Sequence, residues 1–113
     1  MTFSTGLLYE IEASRKEELE KKRLKILEQT VKEVKRVFNN SNVMEVYLTG
    51  SIINSYKFSS RSDIDIAVKG LPAVDYFPIL SKLEESLLRT IEIIELENCR
   101  FSDKIINTGL RVI

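Results

Sequence analysis

Thr49-Gly-Ser-Ile-Ile-Asn-Ser-Tyr-Lys-Phe-Ser-Ser-Arg-Ser-Asp-Ile-Asp-Ile-Ala-Val68 is the stretch on which the reading of this chain turns. It follows an apolar run, Val43 to Leu48, and opens with a Gly-Ser turn at Gly50-Ser51. It closes inside a second apolar run that carries two aspartates one residue apart. Side chains alternate between the two faces of a strand. Asp63 and Asp65 are therefore expected on one face, with Ile64, Ile66 and Val68 on the other. Two neighbouring carboxylates raise each other's proton affinity unless a cation lies between them. The chain has no His and a single Cys, so an oxygen-only donor set points to Mg²⁺ or Mn²⁺ rather than zinc.

Gly50 permits a sharp turn and close approach of a ligand to the backbone. With a short helix expected over Ile52 to Tyr56, the Ser51 hydroxyl and the free N–H groups beside it form an anion pocket. A phosphate pocket beside paired metal-binding acids is suited to phosphoryl or nucleotidyl transfer. The competing reading is an ordinary turn followed by the wet face of an edge strand. Asp is unfavoured within strands, so two in one strand call for a reason.

Outward from this stretch, the order of elements is strand, turn, strand, helix, strand. Val43–Leu48 reads as the first strand and Asp63–Val68 as the second. Gly70-Leu71-Pro72 breaks the chain, and Pro72 is placed to open a helix running from Ala73 or Phe77 to Arg89. Leu80, Leu83, Leu87 and Leu88 form its expected apolar side. Thr90–Leu96 is a third, Ile-rich strand. Ser102–Asn107 reads as a short helix with Ser102 as N-cap and Gly109 at its end, and Leu110–Ile113 as a terminal edge strand.

Upstream, Ile11 to Phe38 contains neither Gly nor Pro and reads as one long helix. Leu24, Leu27, Val31, Val34 and Phe38 recur at spacings of three and four, as one helical stripe does. Ser14 with Glu17 is a capping-box candidate, which leaves Met1–Tyr9 as a loose arm. Arg15–Arg23 is almost wholly charged and is expected to be a solvated face or a partner contact. Asn39-Asn40-Ser41-Asn42 stops the helix.

The chain has 113 residues, so a single domain is expected: 1–42 as arm and long helix, 43–113 as the core. Lys+Arg and Asp+Glu both number 17, a balance that argues against direct nucleic-acid binding. Cys99 is expected to be a small buried apolar group. No leader sequence or apolar run of about 20 residues is apparent, so a cytoplasmic protein with no membrane contact is expected.

Gly50-Ser51, eleven residues, then Asp63-Ile64-Asp65 resembles the Gly-Ser…Asp-x-Asp motif of the polymerase β-like nucleotidyltransferase superfamily, and most of all its minimal nucleotidyltransferases, the MNT-domain proteins. The resemblance covers about Val43 to the C-terminus. It implies an α+β fold: a small mixed β-sheet with helices packed on one face, here with a long N-terminal helix added. It implies Asp63 and Asp65 as catalytic metal ligands, and a third acid in Thr90–Leu96. Glu92 matches that third position, as catalytic and metal-binding residue, whereas Glu95 would face the other way. The family uses Asp there more often than Glu. Gly50, Ser51 and Arg61 become nucleotide-binding candidates, with Lys57 a further loop cation. Ser62 is read as fixing the loop. Tyr47, Tyr56, Phe58, Tyr76 and Phe77 are read as core or interface aromatics.

The resemblance also implies ATP as donor, Mg²⁺ or Mn²⁺ as cofactor, and transfer of AMP to a hydroxyl on a partner. That partner would be a HEPN-domain protein, with this chain the antitoxin of the pair. The alternatives are a non-catalytic neutralising module with a relict metal site, and a small-molecule nucleotidyltransferase of the aminoglycoside-modifying type acting as a homo-oligomer.

Overall fold

The computed structural model describes residues 5–113 of the chain. The first helix, α1, spans Thr5–Val37 and so begins six residues before the expected start at Ile11. Of the expected loose arm, Thr5–Tyr9 is helical, and the rest lies outside the described residues. Ser14 is an interior helical residue rather than a cap. At 1.5 Å per residue a helix of 33 residues is about 50 Å long, which accounts for the 62 Å long dimension of the protein.

The helix packs on the core through its second half. Val34 and Phe38 are buried, with Leu27 and Val31 half-buried beside them. Leu24 departs from the expected stripe, since it is 50% exposed. The buried line instead runs through Arg23, Thr30 and Val34. Thr30 is accommodated because its hydroxyl donates to the Ile26 carbonyl at 2.6 Å. Arg23 is accommodated by a polar network described below.

Four strands form one mixed sheet: β1 (Glu45–Thr49), β2 (Ile64–Lys69), β3 (Ile91–Glu95) and β4 (Leu110–Arg111), in the order β3-β2-β1-β4. β1 pairs antiparallel with both β2 and β4, while β2 and β3 pair parallel. The parallel pair needs a crossover, supplied by α2 (Ala73–Leu87). Pro72 stands at its N-cap position, where a missing N–H costs nothing. α2 stops at Leu87. Leu88 takes a left-handed C-cap conformation (φ +52°) that turns its side chain out to 86% exposure, so it does not join the apolar side.

The sheet has two unlike faces. Val46, Leu48, Ile64, Ile66, Val68, Ile91 and Ile93 meet α1 and α2 and form the main core. The opposite face carries Tyr47, Ala67 and Ile94, which pack with Leu96, Cys99 and Ile105 into a smaller apolar cluster. Cys99 is free and packs against this cluster, but it is half-buried rather than buried as expected. Ile105 belongs to α3 (Ser102–Thr108), so a short helix covers part of this second face. Phe101, not Ser102, stands at its N-cap, and no side chain caps it. Glu45 edges the face, accepting hydrogen bonds or ion pairs from Tyr47, Arg111 and Lys69.

Candidate functional site

Strand register assembles the site. Thr49 at the end of β1 lies opposite Asp65 on β2, and Asp65 lies opposite Glu92 on β3. Directly paired residues share a face. Thr49, Asp65 and Glu92 therefore stand side by side across three adjacent strands, on the face away from α1 and α2. Glu95 pairs with Val68 three positions on, which puts it on the other face, as its spacing from Glu92 requires. Asp63 is exposed and immediately precedes β2.

Directly after Thr49 the chain bends. Gly50 has φ +78°, and a 3₁₀ turn, Gly50–Ile53, follows in place of the expected helix over Ile52–Tyr56. A Cβ at Gly50 would run into the Asp65 carboxylate: its Cγ would be 3.3 Å away and its Oδ2 closer than real Cβ contacts come. Glycine is thus needed twice over, for the backbone conformation and for the approach of the Asp65 carboxylate to the turn. The Asn54 side-chain amide donates to the Gly50 carbonyl at 2.6 Å and ties the turn closed.

Asp65 holds its proton up to about pH 6, well above the ordinary value of 3.8. Burial is the main cause, followed by a hydrogen bond to Glu92, the charge of Glu92 and the charge of Asp63. The three acids therefore act on one another electrically. Among the described residues, however, no three acid, Cys or His side chains close into a ready cage. What is assembled is the Asp65–Glu92 pair, with Asp63 a weaker neighbour. These donors fit a hard divalent cation: all are carboxylate oxygens, and their mutual repulsion is what such an ion relieves.

A cleft of about 310 Å³ opens beside Asp65, lined by Thr49, Gly50, Asp65, Ile94, the N-cap residue Phe101 and the α3 residues Lys104, Ile105 and Thr108. Glu92 lines a separate cleft with Ile94 and Phe101, and Ser51 and Asp63 line neither. Lys104 brings a cation that the sequence reading overlooked. Lys104, Ile105 and Thr108 share a helix face with Phe101, but nothing in the sequence sets that face against Asp65. Arg61 does not line the cleft; it sits in the exposed loop, its N–H donating to Ser59 Oγ at 3.3 Å. Lys57 lines a different cleft, beside α1.

The loop leading into Asp63 is built by its own side chains. Ser62 Oγ accepts the Ser59 N–H at 3.0 Å, in agreement with the fixing role read for it. Arg89, also missed from sequence, donates to the carbonyls of Ser62 (2.9 Å) and Ser59 (3.4 Å), and its guanidinium lies 4.5 Å from the Phe58 ring centre. Phe58 and Tyr47 are buried, while Tyr56 and Phe77 are exposed.

A mixed sheet with a glycine-led turn at the end of one strand and paired acids on its neighbours defines a nucleotidyltransferase domain. The family model described as polymerase beta, nucleotidyltransferase matches residues 32–113, and the chain belongs to that family. No curated protein matches it. Among solved structures it is similar to a chain of the toxin–antitoxin MntA–HepT, at 18% identity over 74% of this chain and 69% of that one, with a TM-score of 0.54. It is likewise similar to a chain of the toxin–antitoxin with AMP-PNP, at 19% identity over 74% and 72%, with a TM-score of 0.60. At these identities the likeness is one of fold.

Proposed function

We propose that residues 1–113 act as one metal-dependent nucleotidyltransferase domain that transfers AMP from ATP to a hydroxyl on a partner protein. The observation that carries the reading is the registered row Thr49–Asp65–Glu92 set against the Gly50 turn. In this reading Ser51 and the N–H groups of the turn hold the β- and γ-phosphates, and Lys104 across the cleft adds charge to the triphosphate. Asp63, Asp65 and Glu92 would hold Mg²⁺ or Mn²⁺, which when bound polarises the phosphate oxygens and eases departure of pyrophosphate. Glu92, exposed beside Asp65, would take the proton of the attacking hydroxyl. The hydroxyl oxygen forms its bond to the α-phosphorus as the bond to the pyrophosphate oxygen breaks.

One finding supports a protein acceptor. The structural neighbours include toxin–antitoxin complexes, one of them holding AMP-PNP. The reading therefore takes a HEPN-domain toxin as partner, this chain as its antitoxin, and the cytoplasm as the setting. Among the described residues no helix is long and apolar enough to cross a membrane.

The test is incubation with ATP labelled at the α-phosphate, Mg²⁺ and the HEPN-domain partner, with Asp65→Asn alongside. Label on the partner that disappears with the variant supports transfer. One observation favours a second reading, of a neutralising module without catalysis: the acids do not close into a three-membered cage. Tight partner binding without label, unchanged in Asp65→Asn, would decide for it.

A further inference from the structure

The Gly50 turn is held from outside the segment that the family defines. The family match starts at residue 32, whereas Arg23 and Glu20 lie about two and a half and more than three turns of α1 upstream. Arg23 is 6% exposed, unusual for an arginine on a helix whose neighbours are in water. Its Nη1 donates to the Ile52 carbonyl at 2.8 Å, inside the 3₁₀ turn that Gly50 and Ser51 open. Its Nη2 reaches Ser55 Oγ at 3.4 Å, and its Nε is paired with Glu20 Oε1. The other oxygen of Glu20 accepts the N–H of Tyr56 at 2.9 Å. Tyr56 stands at φ +63°, a conformation that a residue other than glycine keeps only when its surroundings hold it there. Three points of the turn and its exit, at Ile52, Ser55 and Tyr56, are therefore gripped by one ion pair on α1. The pair spans the same junction as a cleft of about 470 Å³ lined by Lys16, Leu19, Tyr56, Lys57 and Phe58.

We propose that Glu20 and Arg23 are positioning residues for the nucleotide-binding turn: α1 sets the conformation of Gly50–Tyr56 through them, and with it the affinity for ATP. This rests on the nucleotidyltransferase reading above. They touch no substrate. Their effect passes through Ile52 and Tyr56 to the N–H groups and the Ser51 hydroxyl of the turn.

The first measurement is amide hydrogen exchange over residues 50–56 in nucleotide-free protein. Arg23→Gln is expected to speed exchange there about tenfold or more, the factor that loss of a hydrogen bond to a charged group brings. Arg23→Lys, which keeps the charge and one donor direction, restores part of it. Leu83→Ala, which opens the core under α2, controls for general loss of stability and leaves the 50–56 amides no faster than the rest of the sheet. Glu20→Gln serves where Arg23→Gln does not fold, and acts first on the Tyr56 amide.

The second measurement is the ATP dependence of transfer. KM for ATP rises about tenfold in Arg23→Gln, recovers in Arg23→Lys and stays at the wild-type value in Leu83→Ala. The proposal is overturned if residues 50–56 exchange in Arg23→Gln as they do in Leu83→Ala, or if they loosen and KM for ATP does not move. Wild-type protein that binds no ATP overturns the nucleotidyltransferase reading instead. Exchange at 50–56 then still reports whether the ion pair sets the turn.

Discussion

Replacing Gly50 with alanine tests the contact on which the site depends. Two costs arise, and they are separable. The first is local: Gly50 has φ +78°, and an L-residue in the left-handed region loses about 1–2 kcal/mol. Part of that returns because alanine stiffens the unfolded chain, by about 0.4–1 kcal/mol. The second is non-local: the new methyl occupies the space of the Asp65 carboxylate. Moving that carboxylate off its rotamer costs about 0.5–1.5 kcal/mol more. Gly50→Ala should therefore lose about 1–2 kcal/mol in urea unfolding followed by circular dichroism. The second cost exists only while Asp65 has its carboxyl group. In an Asp65→Ala background, Gly50→Ala should lose about 1 kcal/mol less, and the double-mutant cycle reads this as coupling. Additive effects, within about 0.3 kcal/mol, would refute the contact between turn and acid. Transfer should suffer more than stability, since a shift of about 1 Å at a reacting centre costs on the order of a hundredfold. A Gly50→Ala protein that transfers AMP at the wild-type rate would remove the turn from the mechanism.

Further outcomes follow from the same geometry. Asp65 binds its proton more tightly folded than unfolded, so its ionisation destabilises the metal-free fold as pH rises from about 4 to about 6, and the full penalty stands above 6. Asp65→Asn should therefore be more stable than wild type at pH 7.5, by about 1 kcal/mol after discounting for solvent screening, and lose that advantage below pH 4 in thermal unfolding without divalent ions. Mn²⁺ should raise the melting temperature of wild type at pH 7.5 and leave Asp65→Asn unmoved; equal shifts would argue against cation binding at the acids. Arg89→Ala removes the hydrogen bonds to Ser59 and Ser62 and the stacking on Phe58, and should cost about 2 kcal/mol in urea, with Arg89→Lys recovering less than half. Lys104→Ala should raise KM for ATP about fivefold with a small change in kcat, and Lys104→Glu should raise it further; an unchanged KM in both would place the triphosphate elsewhere.

The fold was legible where pattern and burial agree. Alternation in Ile64–Val68, the Ile-rich run at 91–94 and the Asn-rich stop after Phe38 each correspond to an element or boundary of the structure. Asp65 was read from alternation and Glu92 from the family resemblance, and the β2–β3 register sets the two side by side. The errors occur where a distant partner or a helix end overrides the local pattern. Leu24 has the helical spacing of a core residue, yet Arg23 takes the buried place because Ile52, Ser55 and Glu20 give its guanidinium partners. Leu88 fits the apolar stripe of α2, but the helix ends one residue earlier. Lys104 and Arg89 carry no motif and become visible only once α3 and the end of α2 are set against the cleft and the loop.

That pattern of error bears on what the working unit is. A charged run on a helix is read as a wet face because isolated ions gain little from burial. Glu20 and Arg23 break the expectation because the turn offers a carbonyl and an N–H that no strand or helix satisfies: the Ile52 carbonyl goes to Arg23 and the Tyr56 N–H to Glu20. A left-handed glycine, a 3₁₀ turn and a left-handed tyrosine within seven residues leave backbone groups that need partners of this kind. The nearest supply is the helix lying alongside. Glu20 and Arg23 thus follow from the same demand that shapes the Gly50 turn. Residues 32–113 contain the motif, but a version of the domain beginning there would leave the Ile52 carbonyl and the Tyr56 N–H without their partners on α1.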